Sequence, residues 1–288
     1  MLILISIVFN VLLVLSFKVF DLRNINKMKA ITINYFVAGS IGLIVSSEPL
    51  TLSYFTEAWL VIALVLALLF VCVLNLIGYG VREIGIASTT LSQKMSVVIP
   101  VLFGIFYFND DLSILKIIGL LIAVLSIYLS SKKKDLLKIP SKKSVLILSG
   151  IFLGSGCIDT LLKIAEYQFI APNQMPLFFV FIFLPAGIIG ILFLKIRNEL
   201  AFSTWKRRDL VGGIVLGIIN YTSLHFLLRA ISESGLDSSS FFPINNIGII
   251  LLSVFVAVLV FKEKLNNYKI IGLLTGILAI ILIYLSNK

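Results

Sequence analysis

An all-α integral membrane protein of ten transmembrane helices, arranged as two inverted five-helix repeats, is the fold class this sequence predicts. Three observations carry the prediction. Hydrophobic residues make up 59% of the 288 residues and charged residues 13%, against about 25% charged in a soluble domain. So little polar surface cannot solvate a water-soluble globule, and most side chains must face lipid or one another. Apolar runs of spanning length recur along the whole chain, with short connections between them. The string K-I-I-G-L-L also occurs twice, at Lys116–Leu121 and Lys269–Leu274.

A membrane-crossing helix needs about 20 mostly apolar residues. Ten runs meet this, over roughly 2–20, 30–46, 57–80, 86–108, 113–131, 144–166, 174–195, 210–230, 238–261 and 268–286. Barrel strands would be about ten residues long and alternating; these runs are longer and continuously apolar. The first run has no basic stretch before it, and its end, Phe17-Lys18-Val19-Phe20-Asp21, lacks a small-residue cleavage site. It reads as a retained helix, not a removed signal peptide. Each K-I-I-G-L-L follows an acidic turn, Phe108-Asn109-Asp110-Asp111-Leu112 or Phe261-Lys262-Glu263-Lys264-Leu265, and opens a helix ending in Tyr-Leu-Ser. The chain therefore divides into a first repeat over 1–131, a basic cytoplasmic linker over 132–143 and a second repeat over 144–288.

The loops set the orientation. With ten helices, nineteen of the chain's 24 Lys and Arg fall at the loops joining helices 1–2, 3–4, 5–6, 7–8 and 9–10. The other side holds Lys116, Arg229 and Lys288 and collects Glu48, Glu57, Asp110, Asp111, Glu166, Glu233 and Asp237. The positive-inside rule puts the basic side in the cytoplasm and both termini outside. The net charge of +10 is thus explained by anchoring at a lipid surface, not by nucleic acid. Five helices per half is an odd number, so the second half enters the membrane opposite to the first. Related halves of inverted topology are a signature of secondary transporters, whose sites lie near the midplane between repeats.

The fourth helix of each half runs from a small polar start into the acidic turn. In the first half it reads Ser88-Thr89-Thr90-Leu91 through Ile99-Pro100-Val101-Leu102 to Asp110. In the second it reads Ser238-Ser239-Ser240-Phe241 through Ile250-Leu251-Leu252-Ser253 to Glu263. Followed each time by K-I-I-G-L-L, and with the five-plus-five duplication, this pattern resembles the drug/metabolite transporter superfamily in its ten-helix EamA-type branch. The resemblance covers nearly the whole chain. It implies two EamA-like repeats and a carrier of small metabolites, amino acids, nucleotide sugars or drugs, often an exporter. The family has no shared substrate-binding motif, so it implies no substrate identity. Many ten-helix members have cytoplasmic termini, and the charges here argue the reverse.

Ionisable residues inside spanning helices are costly and mark function by default. Lys94 lies roughly 12 Å in from the cytoplasmic end of its helix, beside Ser92 and Gln93. It is a candidate for holding an anionic or carboxylate-bearing substrate; the alternative is a structural lysine paired with Glu83 or a helix-end carbonyl. Asp159 lies roughly 22 Å in, with Lys163 one turn on. It is a candidate for a substrate amine or a coupling proton, or half of a simple pair with Lys163. His225, the one histidine, suits a proton relay or a neutral hydrogen-bonded role. Asn245 and Asn246 follow Pro243, which can break the helix ladder and line a cavity; adjacent residues diverge, so one of the two is expected to face substrate. Pro100 is expected to kink the fourth helix. Asn220 is a further substrate candidate, and like Asn10, Asn34 and Asn75 it equally suits interhelical hydrogen bonding. Glu83 and Glu233 occupy matching helix ends, as gating residues or as solvated rim charges. Tyr35, Tyr54, Tyr79, Tyr128 and Tyr284 read as interfacial anchors.

Enzymatic and metal functions are not expected. There is no H-E-x-x-H, G-x-S-x-G or ATP-binding G-x-x-x-x-G-K-[ST] motif, and Cys72 and Cys157 have no metal spacing. No cofactor and no catalytic residue is expected. The expected function is a secondary transporter of a small metabolite or drug in the cytoplasmic (inner) membrane, working by alternating access as a monomer, by proton coupling or exchange. The alternatives are a flippase for a lipid-linked substrate and a non-transporting membrane assembly protein.

Overall fold

The structure, a computed structural model, describes residues 2–46, 48–57, 59–107, 113–131, 141–170, 174–199, 201, 205–233 and 238–286. Among them every regular element is helical. In order they are α1 (Leu2–Leu22), α2 (Lys27–Val45), a 3-10 turn (Leu52–Thr56), α3 (Trp59–Glu83), α4 (Ile86–Met95), α5 (Val98–Tyr107), α6 (Ile114–Ser131), α7 (Lys142–Gln168), α8 (Met175–Ile196), α9 (Arg207–Glu233), α10 (Ser238–Leu259) and α11 (Asn267–Leu285). Seven of these, α1, α2, α3, α7, α8, α9 and α11, are long and apolar enough to cross a membrane. Shorter apolar stretches lie in α6 (Ile114–Leu129) and α10 (Asn245–Leu259). Residues such as Ile44, Val61, Ile114, Leu121 and Leu274 are exposed, as lipid-facing side chains must be; a protein surrounded by water rarely shows so much apolar surface. Helices suit this setting because each satisfies its own backbone hydrogen bonds where lipid offers no partners.

Two helix boundaries differ from the sequence reading. The expected continuous helix over 86–108 is two short helices, α4 and α5, separated at Ser96 and Val97. Pro100 is the cause: it has no N–H for the carbonyl of Ser96 four residues back, and its ring crowds that carbonyl. Ile99 N donates there instead, in a tighter turn at 2.9 Å. Conversely, Pro243 breaks nothing, and α10 runs through it from Ser238. Asn26 and Asn266 cap α2 and α11, each side chain accepting from the backbone N–H three residues on (Lys29 and Lys269).

The chain forms two compact units. The first contains Met1–Lys18, Leu76–Cys157 and Ser223–Lys288; the second contains Val19–Asn75 and Ile158–Thr222. Each draws on both halves of the sequence. In the first unit the most extensive pairing is α6 with α11, followed by α4 with α10. The α6–α11 pair brings together the two K-I-I-G-L-L helices. A Cβ at Gly119 would lie 2.9 Å from Ile283 and 3.2 Å from the carbonyl of Ala279, so only glycine permits this approach.

In the second unit α2 packs along α8, and α9 meets α2 through Gly213 and Gly217, which lie against Ile33 and Val37. Asn220 donates to Asn34 across that contact at 3.2 Å. An aromatic cluster fills the rest: Phe183 stacks on Tyr35 and Phe179 and meets Phe70 edge-on. Here Tyr35 departs from the expected interfacial role: it is fully buried, and Tyr54 is also buried against Trp59 and Phe181. Their rings fill core volume that the expected helix-end position did not reveal. Tyr79 and Tyr128 are exposed as expected.

Candidate functional site

Helix α4 is the short element on which the candidate site is built. Ala87, Leu91, Met95 and Val98 follow helical spacing through α4 into α5, and pack against Ala123, Ile250, Leu273 and Ile280. A second face holds Ser92, whose hydroxyl donates to the carbonyl of Leu148 on α7 at 2.7 Å. Thr90 stands three residues before Gln93 and four before Lys94, so its side chain neighbours each of theirs along the helix.

Lys94 joins a polar network linking α4 to α1 and α10. Its Nζ donates to Asn10 Oδ1 at 3.3 Å. Asn10 Nδ2 donates to the carbonyl of Ser6 at 3.3 Å, and Ser6 Oγ donates to Asn245 Oδ1 at 3.5 Å. Asn246 Nδ2 donates to the carbonyl of Lys94 at 3.5 Å. This last contact follows from the helix break. The final carbonyls of a helix lack intrahelical donors: that of Gln93 is taken by the backbone N and hydroxyl of Ser96, and that of Lys94 by Asn246. Both adjacent asparagines thus have hydrogen-bond partners, and different ones, as their divergent directions on the helix imply. Ser6, Asn245 and Asn246 are buried.

Two oxygens on the same face of α4 are buried without a hydrogen-bond partner: Thr90 Oγ1 and Gln93 Oε1. Leaving such an atom unsatisfied costs about 1–3 kcal/mol. Both residues stand within one turn of Lys94 on α4, so a ligand with both an anionic group and N–H or O–H donors would meet a cation and two acceptors on one short helix. Ser155 Oγ on α7 is likewise unpartnered.

The structure brings Gln93, Lys94, Asn245 and Asn246 into this cluster. His225 lies in the same compact unit, half-buried, with its ring edge-on to Phe226, which stacks on Phe9 beside Asn10. Asp159 and Lys163 are exposed on α7 and belong to the second unit with Asn220, and Asn220 serves as interhelical hydrogen bonding to Asn34. Glu83, weighed as a gating residue and as the partner of Lys94, instead pairs with Lys143 at 3.5 Å and Arg82 at 3.9 Å, with 36% of its side chain exposed. That is a solvated rim. Glu233 ends α9, and its side chain lies outside the described residues, as do Asp110, Asp111 and residues 132–140 of the linker. Among the described residues no group of His, Cys, Asp and Glu could hold a metal ion.

Sequence reading missed Ser6 and Thr90 and assigned Asn10 no partner. It also missed a cluster at the start of α4. Glu263 Oε2 accepts from the backbone N–H of Ile86 at 2.9 Å. Glu263 pairs with Lys269 at 3.5 Å, and Lys269 Nζ donates to the carbonyl of Ile84 at 2.7 Å. One signal was present: each K-I-I-G-L-L lysine stands six residues after an acid, Glu263 or Asp110.

No family model matches the chain. A Haemophilus influenzae protein described as an uncharacterized protein is 31% identical over 230 residues, which cover 79% of this chain and 76% of that one. Identity at that level across most of both chains means a shared fold, and this chain belongs to the same family as that protein.

Proposed function

We propose that the protein is a secondary transporter of the ten-span, inverted-repeat type, moving a small polar metabolite or drug by alternating access. The observation that carries this is the Lys94 network: a lysine, three asparagines and two unsatisfied oxygens gathered at a broken helix among apolar ones. Irregular backbone at membrane depth is tolerated where it lines a cavity, and broken helices with polar side chains are where carriers bind substrate. The pairing of helices supports the inverted-repeat reading. The extensive contacts join α6 with α11, α2 with α8 and α4 with α10. These are the fifth, second and fourth spans of the first half, each against the span of equal rank in the second, as an axis relating two halves requires. The sequence holds no nucleotide-binding G-x-x-x-x-G-K-[ST] motif, and the reading is a gradient-driven or exchange carrier in the cytoplasmic (inner) membrane, working as a monomer.

The test is a thermal-stability screen of the detergent-purified protein against amino acids, carboxylates, nucleotides, sugars and cationic drugs. A ligand of the folded state at 100 times its Kd stabilises by about 2.7 kcal/mol. A shift with one chemical class identifies the substrate class. The absence of any shift, together with no ligand flux in reconstituted vesicles, would remove the carrier reading.

Orientation has a separate test. The loop charges place both termini outside. An alkaline phosphatase fused after Lys288 is expected to be active, and a fluorescent protein that folds only in the cytoplasm is expected to be dark there. The reverse pattern would overturn the orientation.

A further inference from the structure

We propose that the Glu263–Lys269 pair is the latch of a gate on the basic-loop side of the protein, holding α4 closed over the Lys94 site; this rests on the carrier reading above. The pair joins two places far apart in sequence, the α10–α11 turn and the α3–α4 junction. It is well shielded, with 14% of each side chain exposed. Its charges are not satisfied by each other alone. The carboxylate caps the first amide of α4, where a negative charge is favoured by the helix dipole, and the ammonium takes the Ile84 carbonyl at the end of α3.

The junction is a joint. Gly85 has φ +116°, a backbone region closed to other residues, and a Cβ there would collide with the Glu263 carboxylate. At its other end α4 stops at the Ser96–Val97 break. Helix α4 is therefore a ten-residue rod between two joints, carrying Thr90, Gln93 and Lys94. The clamp fixes one joint.

Chemistry separates a latch from a plain fastening. A shielded ion pair is an inefficient source of stability because both charges lose water. Apolar packing at this junction would hold more firmly but would have no favourable open form in water. Of the four groups here, the helix-first N–H, the Ile84 C=O and the ammonium are hydrogen-bonded when closed, while Glu263 Oε1 is buried with the 3.5 Å ion pair to Lys269 and no hydrogen bond; water can satisfy all four when open. A closed arrangement that leaves one carboxylate oxygen without a hydrogen bond, beside an open one that water satisfies, gives the contact the two accessible arrangements a switching element requires.

The experiment uses the full chain with Cys72 and Cys157 replaced by Ser and a single reporter, Gln93→Cys. A membrane-impermeant maleimide is applied from the basic-loop side of oriented vesicles. Labelling is expected to be slow with the latch intact and to rise about tenfold in Glu263→Gln and in Lys269→Gln, which corresponds to ~1.4 kcal/mol removed from the closed form. Lys264→Gln, an exposed charge on the same turn, is expected to change nothing. An unchanged rate in both latch variants, or an equal rise in Lys264→Gln, would overturn the proposal. If one latch variant fails to fold, the other decides; if neither folds, the pair is a fastening and the latch is wrong. Labelling from the opposite side that ignores the latch variants would leave the carrier and remove the latch. A reporter unlabelled from both sides in every variant would remove the carrier reading itself.

Discussion

Lys94→Met is expected to abolish ligand-dependent stabilisation while leaving the unliganded protein folded. The methionine keeps the length and apolar stem of the lysine and removes the ammonium. Asn10 loses one donor, but it retains its own bond to Ser6, and Asn246 still caps the Lys94 backbone carbonyl, which the substitution does not touch. The network therefore survives with one link missing. A ligand held by the ammonium loses its charge partner, and the ~2.7 kcal/mol stabilisation expected at 100 times Kd falls to near zero at the same concentration. Gln93→Leu is expected to move the two readouts in opposite directions. It removes an unsatisfied buried oxygen, so the unliganded protein gains about 1 kcal/mol, while ligand stabilisation falls. Gain of stability with loss of function is the trade-off expected at a binding site. If Lys94→Met keeps full ligand stabilisation, the site lies elsewhere. If Gln93→Leu loses stability, its carbonyl is satisfied and the site argument weakens.

The fold was legible in the sequence where physics acts on long stretches. Apolar runs must be helices in lipid, and their limits follow from charged and capping residues, so most helix ends lie within a few residues of expectation. The fourth helix was less legible because a proline acts four residues upstream: Pro100 was read as a kink in one helix, and the structure has a break at Ser96–Val97 that divides it in two. The site was legible in part. Lys94, Gln93, Asn245 and Asn246 stand out as polar residues in apolar runs, and that alone selected them. Partner choice did not follow, because it depends on which faces meet: Lys94 reaches Asn10, 84 residues away, while Glu83, close in sequence, turns to Lys143. Asn220 shows the opposite case. Its chemistry matched the other candidates, and only its neighbour Asn34 identifies it as an interhelical contact. Tyr35 was misread because α2 begins at Lys27, which puts it near the middle of the 19-residue helix rather than near an end, and its ring turns into the core.

Gly217→Leu is expected to be strongly destabilising, costing about 3 kcal/mol or more. A Cβ at this position would lie 2.7 Å from the Val37 Cβ and 2.8 Å from the carbonyl oxygen of Asn34. Neither can yield. The oxygen is helix backbone, and a β-branched side chain in a helix has essentially one rotamer. Helix α2 must therefore move away from α9, and the bond lost first is Asn220 to Asn34, three residues from the intrusion. Both amides are buried and lipid supplies no replacement partner, so the cost of unsatisfied polar groups adds to that of overpacking. Gly212 is the matched control. A Cβ there meets only Ile25 and Phe20 side-chain atoms at 3.2 Å or more, which can shift by a few tenths of an ångström, so Gly212→Ala is expected to stay within about 1 kcal/mol of wild type. Equilibrium unfolding in mixed detergent and sodium dodecyl sulfate, followed by far-UV circular dichroism, measures both. If Gly217→Leu unfolds at the wild-type midpoint, the close α2–α9 contact is not part of the native fold. A low midpoint for Gly217→Leu beside a near-wild-type one for Gly212→Ala would establish that the two helices meet at this point through a small residue and one pair of amides.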